Sequence, residues 1–249
     1  MIHLKSRREL EVMRRAGKAT AEILKEVAGM VKPGLTTLEL DSLAEKRCKE
    51  LGVKPAFKGY HGYPRCLCVS VNDEVVHGIP SGRVLVEGDI VGLDFGVIVD
   101  GYYGDTAVTV GVGKIAPEVQ KLLDVTRECL EGGIREAVVG NRLFDISHAI
   151  QNYVESRGFS VVREFVGHGI GRNLHEEPQV PNYGPKGKGV ALKEGMVIAI
   201  EPMINAGGHG VRIESDGWTA VTVDGSWSAH FEHTVAITQD GPEILTLIA

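Results

Sequence analysis

The chain has 249 residues, of which 43% are hydrophobic and 24% are charged, and its formal net charge is -6 at pH 7. This composition is ordinary for a soluble globular protein, and the negative charge argues against a broad nucleic-acid-binding surface. The charged N-terminus lacks the apolar core of a signal peptide, no run reaches the ~18 apolar residues of a membrane span, and the four cysteines form no CxxC pair. We therefore expect a cytoplasmic protein with reduced thiols.

Helices are predicted where a capping box precedes apolar residues at helical spacing. Ser6 with Glu9, and again the "TTLE" run at 36–39, match such boxes, in which two side chains satisfy the first free backbone N–H groups of a helix. Gly52 provides a stop for the second helix. The predicted elements, in chain order, are helices over 6–30 and 36–52, strands over 67–72, 89–98 and 103–112, helices over 117–138 and 145–157, and strands and loops over 160–248.

Two acids interrupt a predicted apolar hairpin between residues 91 and 110. Asp100-Gly101 is a strong turn signal, so the spacing of Asp94 and Asp105 puts both side chains on one face unless a bulge intervenes. They then lie directly opposite or diagonally, roughly 5 to 8 Å apart. Two bare carboxylates at that distance repel each other and lose hydration. They are either a solvated, outward-facing pair or part of a cation site, and the glycines on the same face favour the cation.

A faint internal repeat runs through the chain. Residues 34–52 and 140–158 both run from glycine to glycine with similar apolar spacing, and each follows a long helix and precedes strands. Chance spacing of glycines is the alternative explanation. A duplication predicts a single domain, 1–249, made of two similar halves over roughly 1–112 and 113–249, with a site between them.

Three further side chains with metal-binding chemistry lie at unusual places. Shifting Asp94 by the offset of the repeat leads to the neighbourhood of Glu201, again an acid at the end of an apolar strand. Glu232 lies on the polar face of a predicted strand. His168 lies between two glycines, where a lone histidine is more often a core residue than a ligand.

Taken together, these residues supply four carboxylates and one imidazole. If they converge, two divalent ions neutralise the charge where a single ion leaves a deficit. Oxygen-rich ligation with one nitrogen suits Mn²⁺, Fe²⁺, Co²⁺ or Zn²⁺. Two such ions ~3.5 to 4 Å apart can acidify a shared water and polarise a carbonyl, which is the chemistry of metal-assisted hydrolysis.

The order of these residues resembles the ligand set of the pita-bread metallopeptidases. Surrounding motifs narrow the resemblance to the methionine aminopeptidases of type I, and they cover essentially the whole chain in family order. The motifs are "GYHGYP" (59–64), "VNDEVVHGIP" (71–80), "DGYYGDTAVT" (100–109), "GHGIGRNLHEEPQVPNYG" (167–184), "AIEPMI" (199–204) and "FEHT" (231–234).

The resemblance implies an α+β pita-bread fold, in which two pseudo-symmetric halves form an antiparallel sheet backed by helices. It implies a metal-dependent aminopeptidase that removes the initiator methionine from nascent polypeptides when the second residue is small. Two divalent ions per chain, Co²⁺, Mn²⁺, Fe²⁺ or Zn²⁺, would be its cofactors. The implied partners are nascent polypeptides and, transiently, the ribosome. We expect a cytoplasmic monomer with no membrane association and no specific nucleic-acid motif.

The resemblance also assigns the metal ligands. Asp94 and Asp105 would bind one ion, with Asp105 bridging to the second. His168 and Glu201 would complete the second site. Glu232 would bridge the two ions.

Three catalytic residues and a substrate pocket follow from the same resemblance. Glu201 would move the proton of the attacking water, His175 would contact the scissile peptide and stabilise the oxyanion, and His77 would hydrogen-bond the peptide nitrogen. Aromatic walls and a thiol suit the polarizable sulfur of methionine. Without the resemblance, the same residues could be loop packing, a strand-edge aromatic and an inert core thiol. The implied pocket residues are Tyr60, Tyr63, Cys68, Leu174 and Trp218.

Two positions depart from the family pattern. Leu174 stands where close relatives often have phenylalanine, which puts the pocket shape in doubt. His230 replaces a glutamine common before "[FY]EHT", and it would add either a proton donor near the metals or a hydrogen bond behind them. No role is predicted for His3, His61, His148 and His209.

Other functions compete with this interpretation. A prolidase or proline aminopeptidase resembles the same fold and ligand set, but those enzymes usually carry an additional N-terminal domain, for which the first ligand at 94 leaves no room. A non-catalytic, peptide-binding pita-bread protein would typically have lost ligands that are all present here. A type II enzyme is disfavoured because the interval 168–232 contains no large helical insertion and no N-terminal extension is visible.

Overall fold

The computed structural model describes residues 1–247. Its helices are α1 (Arg7–Met30), α2 (Thr37–Leu51), α3 (Pro117–Arg135) and α4 (Leu143–Glu155), with a 3₁₀ turn over Tyr60–Gly62. Its strands are β1 (Lys54–Pro55), β2 (Leu67–Val71), β3 (Glu74–Val76), β4 (Ile90–Val99), β5 (Tyr102–Gly111), β6 (Ser160–Val161), β7 (Gly167–Gly169), β8 (Glu176–Val180), β9 (Val197–Ile200), β10 (Met203–Asn205), β11 (Val211–Ile213), β12 (Ala220–Thr222), β13 (Ser228–His230), β14 (Glu232–Thr238) and β15 (Gly241–Ile244).

Local signals fix the ends of the first two helices. Both predicted capping boxes are formed, and Gly52 ends α2 in the left-handed region at φ 68°. The fourth helix begins two residues earlier than predicted. The carboxylate of Asp145 accepts the backbone N–H of Arg142 at 2.7 Å, so this acid lies inside the first turn instead of preceding it. The third helix ends at Arg135, short of the predicted 138, where the chain turns towards Gly140.

A nine-stranded sheet organises the molecule. Its order is β1-β4-β5-β14-β9-β7-β8, with β2 beside β4 and β15 beside β14, and the neighbouring strands pair antiparallel. Strands from the first part of the chain thus occupy one side of the sheet and strands from the second part the other, and they meet where β5 pairs with β14. The predicted α+β fold with an antiparallel sheet and helices is confirmed. The internal duplication stays a prediction.

The register of the β4–β5 hairpin selects one of the two predicted arrangements. Asp94 lies opposite Ala107, and Asp105 lies opposite Gly96. The two acids are therefore diagonal neighbours on the same face. The predicted turn at Asp100-Gly101 is also formed, with φ values of 48° and 80°.

Apolar side chains cover the helix-facing side of the sheet. One cluster joins α1 and α2 to β2 and β4, and another joins α3 and α4 to β9 and β14. Gly104 allows α1 to rest directly on β5, because a Cβ there would lie 2.8 Å from the backbone of Ala16 and of Gly17. This contact holds β5, which carries Asp105, against a rigid support.

Within residues 1–247, no helix combines the length and the hydropathy that a bilayer crossing requires. All four cysteines, Cys48, Cys66, Cys68 and Cys129, are free thiols and buried.

Candidate active site

The predicted metal ligands converge on one cavity of about 240 Å³. Asp94 and Asp105 come from β4 and β5, His168 from β7, Glu232 from β14, and Glu201 follows the last residue of β9. These strands are joined to one another in the sheet. The sheet therefore brings together side chains that are up to 138 positions apart in the sequence.

Hydrogen bonds hold the backbone at these positions. The Thr234 hydroxyl accepts the N–H of Asp105 at 3.1 Å and donates to its carbonyl oxygen at 2.7 Å. The Asn182 side chain donates to the carbonyl oxygen of Glu201 at 3.0 Å. These hydrogen bonds join β5 to β14 at Asp105, and they join the backbone just after β9 to the Asn182 side chain.

The ligand atoms lie close enough to share cations. One ligand atom each from Asp105, His168 and Glu232 lies within 4.8 Å of the others. His168 Nε2 is 3.4 Å from Glu201 Oε1 and 4.0 Å from Asp105 Oδ2. Such separations are those of groups that surround an ion.

Burial makes the carboxylates costly to ionise without a cation. Desolvation raises the pKa of Asp94 to about 7 and that of Glu201 to about 8. It also raises the pKa values of Asp105 and Glu232 well above their ordinary range, and the neighbouring carboxylates add to the effect. One oxygen each of Asp94, Asp105 and Glu232 is buried without a hydrogen-bond partner. A buried oxygen of this kind carries a large penalty unless something binds it.

The tautomer of His168 suits it to be a ligand. Its Nδ1 lies 2.9 Å from the carbonyl oxygen of Gly169, and only an N–H can make that bond. Burial lowers the pKa of His168 to about 3, so the ring is neutral and Nε2 keeps its lone pair. A backbone carbonyl that holds the second ring nitrogen is the usual support of a metal-binding histidine. The carboxylates and the imidazole therefore fit divalent ions of the Mn²⁺, Fe²⁺, Co²⁺ or Zn²⁺ type.

Beside the acids, the cavity has an apolar and aromatic wall. Tyr63 and Trp218 meet edge to face with ring centroids 5.1 Å apart, and the Tyr63 hydroxyl lies 2.9 Å from the carbonyl oxygen of Gly78. Cys68 lies on β2 opposite Asp94. All the predicted pocket residues line the cavity: Tyr60, Tyr63, Cys68, Leu174 and Trp218. The volume is below the ~300–1,000 Å³ of pockets for drug-sized ligands, so it suits one flexible, polarizable side chain.

Two neutral histidines lie beside the acids and the aromatic wall. His77, which is half-buried, and His175, which is exposed, both line the cavity, and desolvation lowers the pKa of each, that of His77 to about 4. His77 has a left-handed backbone at φ 63°, a conformation that is uncommon outside glycine and is often found at functional sites. A neutral imidazole can donate one hydrogen bond and accept another.

The structure adds two residues for which the sequence predicted no role, and it gives the position of His230. Phe57 and His61 also line the cavity; His61 belongs to the "GYHGYP" motif, whereas nothing in the sequence marks Phe57. His230 is buried with Nε2 unpartnered, 3.7 Å from Glu201 Oε2. His230, which stands in place of the glutamine of the family pattern, therefore lies directly beside the predicted ligand Glu201.

Comparison with known proteins identifies the family. Residues 11–239 match the model of metallopeptidase family M24. The methionine aminopeptidase 1 of Bacillus subtilis is 55% identical over 248 residues, which cover 100% of both chains. The methionine aminopeptidase of Clostridium acetobutylicum is 54% identical over 99% of both chains.

Solved structures give the same result. The crystal structure of methionine aminopeptidase from Thermotoga maritima superposes with a TM-score of 0.98 at 53% identity and 100% coverage of both chains. The prolidase of Pyrococcus horikoshii shares the pita-bread fold with a TM-score of 0.81, but at 22% identity and over 64% of its own length, which is a likeness of fold alone. By sequence and by structure, the chain belongs to metallopeptidase family M24 and, within it, to the methionine aminopeptidases, which are hydrolases.

Proposed function

We propose that this protein removes the initiator methionine from nascent polypeptides whose second residue is small, and that it uses two divalent ions. The observation that carries the proposal is the convergence of four carboxylates, two buried and two partly buried, and one neutral imidazole beside an apolar cavity of side-chain size. The chain is 55% identical to a methionine aminopeptidase over its whole length, and this similarity supports peptides with an N-terminal methionine as the substrate class.

The proposed ligands form two groups. Asp94 and Asp105 would hold the first ion, and His168 and Glu201 the second, with Glu232 as a further ligand. Asp94, Asp105 and Glu232 each have a buried oxygen without a hydrogen-bond partner, which is available to a cation. When bound, such ions lower the pKa of water and polarise a carbonyl oxygen.

The remaining residues position the substrate and move its protons. Glu201 accepts a proton from the attacking water and passes it on to the leaving amine, a general acid–base role that a carboxylate can perform. His175 donates a hydrogen bond to the oxyanion that develops on the scissile carbonyl. His77 hydrogen-bonds the peptide nitrogen. The methionine side chain lies against Tyr63 and Trp218.

Peptides of defined sequence test the proposal. Metal-depleted protein should be inactive and should regain activity with Co²⁺ or Mn²⁺. Its kcat/KM for a Met-Ala peptide should far exceed that for Met-Leu and for Phe-Ala peptides. A norleucine-Ala peptide should still be cleaved, because one change of this size in an apolar pocket costs only ~1 to 3 kcal/mol.

Two outcomes would contradict it. Full activity in a verified metal-free preparation would exclude the two-ion mechanism. If peptides of the Xaa-Pro type were the best substrates whatever their first residue, the proline-aminopeptidase alternative would replace the methionine one. Transient association with the ribosome, a cytoplasmic location and a monomeric state remain predictions of the same proposal.

A further inference from the structure

The ring of His175 is held by a residue from a distant part of the chain. The Tyr60 hydroxyl lies 2.7 Å from His175 Nδ1 across a sequence separation of 115 residues. The two ring centroids are 5.4 Å apart, with the planes tilted by 44°. Both side chains line the cavity, so this hydrogen bond lies at the site and connects two of its walls.

The backbone that carries His175 is fixed independently of Tyr60. Glu176 Oε1 accepts the backbone N–H groups of Arg172 at 2.8 Å and of Asn173 at 3.1 Å. Its Oε2 is 2.7 Å from Lys5 Nζ in an ion pair whose side chains are 13% and 2% exposed. Because the turn is held in this way, the orientation of the imidazole and the position of its proton are what remains to be set.

The loop that carries Tyr60 is itself closed by hydrogen bonds. The backbone N–H of Tyr60 donates to the carbonyl oxygen of Phe57 at 2.9 Å, and the backbone N–H of Gly59 donates to the carbonyl oxygen of Tyr63 at 2.8 Å. Gly59 adopts φ 86°, a conformation that glycine reaches without strain. The His168 ring also meets the His175 ring edge to face, with the ring centroids 4.3 Å apart. The His175 ring is thus contacted both by the Tyr60 hydroxyl and by a predicted metal ligand.

The direction of the hydrogen bond decides what His175 can do. Among residues 1–247, the Tyr60 hydroxyl has His175 Nδ1 as its one hydrogen-bond partner. A neutral imidazole carries one proton, and a hydroxyl that donates to Nδ1 requires this proton to be on Nε2. The opposite tautomer would present a lone pair at Nε2, which repels a developing oxyanion instead of stabilising it.

We propose that Tyr60 is a positioning residue for His175: its hydroxyl donates to Nδ1 and so holds the Nε2–H tautomer that donates to the scissile carbonyl oxygen. The inference rests on the role of His175 in the proposed function and gives the Tyr60 hydroxyl a task separate from the contact of its ring with the substrate side chain.

Tyr60→Phe tests the hydroxyl while it keeps the aromatic wall. With a Met-Ala peptide and metal-loaded enzyme, we expect kcat to fall about three- to ten-fold, the range of one neutral hydrogen bond, with little change in KM. In a His175→Ala background, the same substitution should have no further effect, since Tyr60 acts through His175. Tyr63→Phe is the matched control. Its hydroxyl bonds to backbone carbonyl oxygens of Leu67 and Gly78, so its effect should persist without His175.

A spectroscopic measurement tests the tautomer directly. In ¹⁵N NMR spectra of the zinc-loaded protein, the His175 signals, assigned by their loss in His175→Ala, should report a proton on Nε2. Tyr60→Phe should shift the ring to a mixture of tautomers. A proton on Nδ1 in the unsubstituted protein, or an unchanged tautomer in Tyr60→Phe, would overturn the inference.

The kinetic outcomes separate this inference from the proposed function. If His175→Ala retained normal kcat, the role of His175 itself would be wrong, and the inference would fall with it. If His175→Ala were strongly impaired but Tyr60→Phe were normal, only the inference would fail. An equal loss from Tyr60→Phe with and without His175, or a rise in KM alone, would assign Tyr60 to the pocket wall and overturn the positioning role.

Discussion

The Glu201 side chain is proposed both to bind a cation and to transfer a proton. Its Oε1 is 3.4 Å from His168 Nε2, and its Oε2 is 3.7 Å from His230 Nε2. Burial raises the pKa of its carboxyl to about 8. A carboxyl with these neighbours can bind a cation through one oxygen and exchange a proton through the other.

Glu201→Gln removes charge and basicity while it keeps the shape. We expect kcat to fall by about 10² to 10⁴ from the loss of proton transfer alone, with a further fall from weaker metal binding. The measurement is kcat together with the metal content of the same sample. Glu194→Gln is a matched control, because Glu194 is exposed and contacts the Gln239 side chain, and its kcat should be unchanged. A near-normal rate for Glu201→Gln with both ions bound would show that another group moves the proton.

At the scale of single residues, the sequence predicted which residues line the cavity but not how their side chains are oriented. All five predicted ligands and all the predicted pocket residues line the cavity. The proton on His168 Nδ1 could not be predicted, because its acceptor, the carbonyl oxygen of Gly169, depends on the backbone path after a register shift in β7. The Tyr60–His175 contact could not be predicted either, since it joins two loops that the fold brings together.

At the scale of elements, the close approach of α1 to β5 offers a test. Gly104→Ala would place a Cβ 2.8 Å from the backbone of Ala16 and Gly17, so the helix must shift. Overpacking of this kind costs about 1 to 3 kcal/mol, measured as the free energy of unfolding in urea. Gly29→Ala is the matched control: it lies in α1, and its Cβ would meet nothing within 4 Å, so stability should rise by about 0.4 to 1 kcal/mol. Equal effects of the two substitutions would contradict the packing argument.

Elements were predictable where their signals are local. Capping boxes and Gly52 predicted the bounds of α1 and α2, because the side chains that satisfy a helix end lie within a few residues of it. The register of β4 and β5 was left open between two arrangements, since both keep Asp94 and Asp105 on one face. The order of strands in the sheet, and the pairing of β5 with β14, follow from packing between distant segments.

At the scale of the whole molecule, the site works against the stability of the metal-free fold. Its carboxyl groups have raised pKa values, so the folded chain holds protons that the unfolded chain releases near the ordinary values of 3.8 and 4.5. His77 and His168 have lowered pKa values, so below their ordinary value of 6.5 the unfolded chain binds protons there that the folded chain does not. This difference makes stability rise with pH, opposite to the effect of the carboxyl groups. The two effects oppose each other up to about pH 6.5. Above it only the carboxyl effect remains, and it lowers stability as pH rises.

Metal ions should reverse this trend. We expect the metal-free protein to lose stability between about pH 6.5 and about pH 8, because the unfolded state binds fewer protons there. Ions compete with protons for the same oxygens, so their affinity rises with pH, and the stabilisation by Mn²⁺ should be larger at about pH 8 than at about pH 6.5. The measurement is the free energy of unfolding with and without Mn²⁺ at both pH values. Asp94→Asn with Asp105→Asn is the control, and Mn²⁺ should stabilise it less than the unsubstituted protein, because only the proposed ligands His168, Glu201 and Glu232 remain. A Mn²⁺ effect that is equal at both pH values, or larger at the lower one, would mean that the buried carboxylates are not the groups that the ions bind.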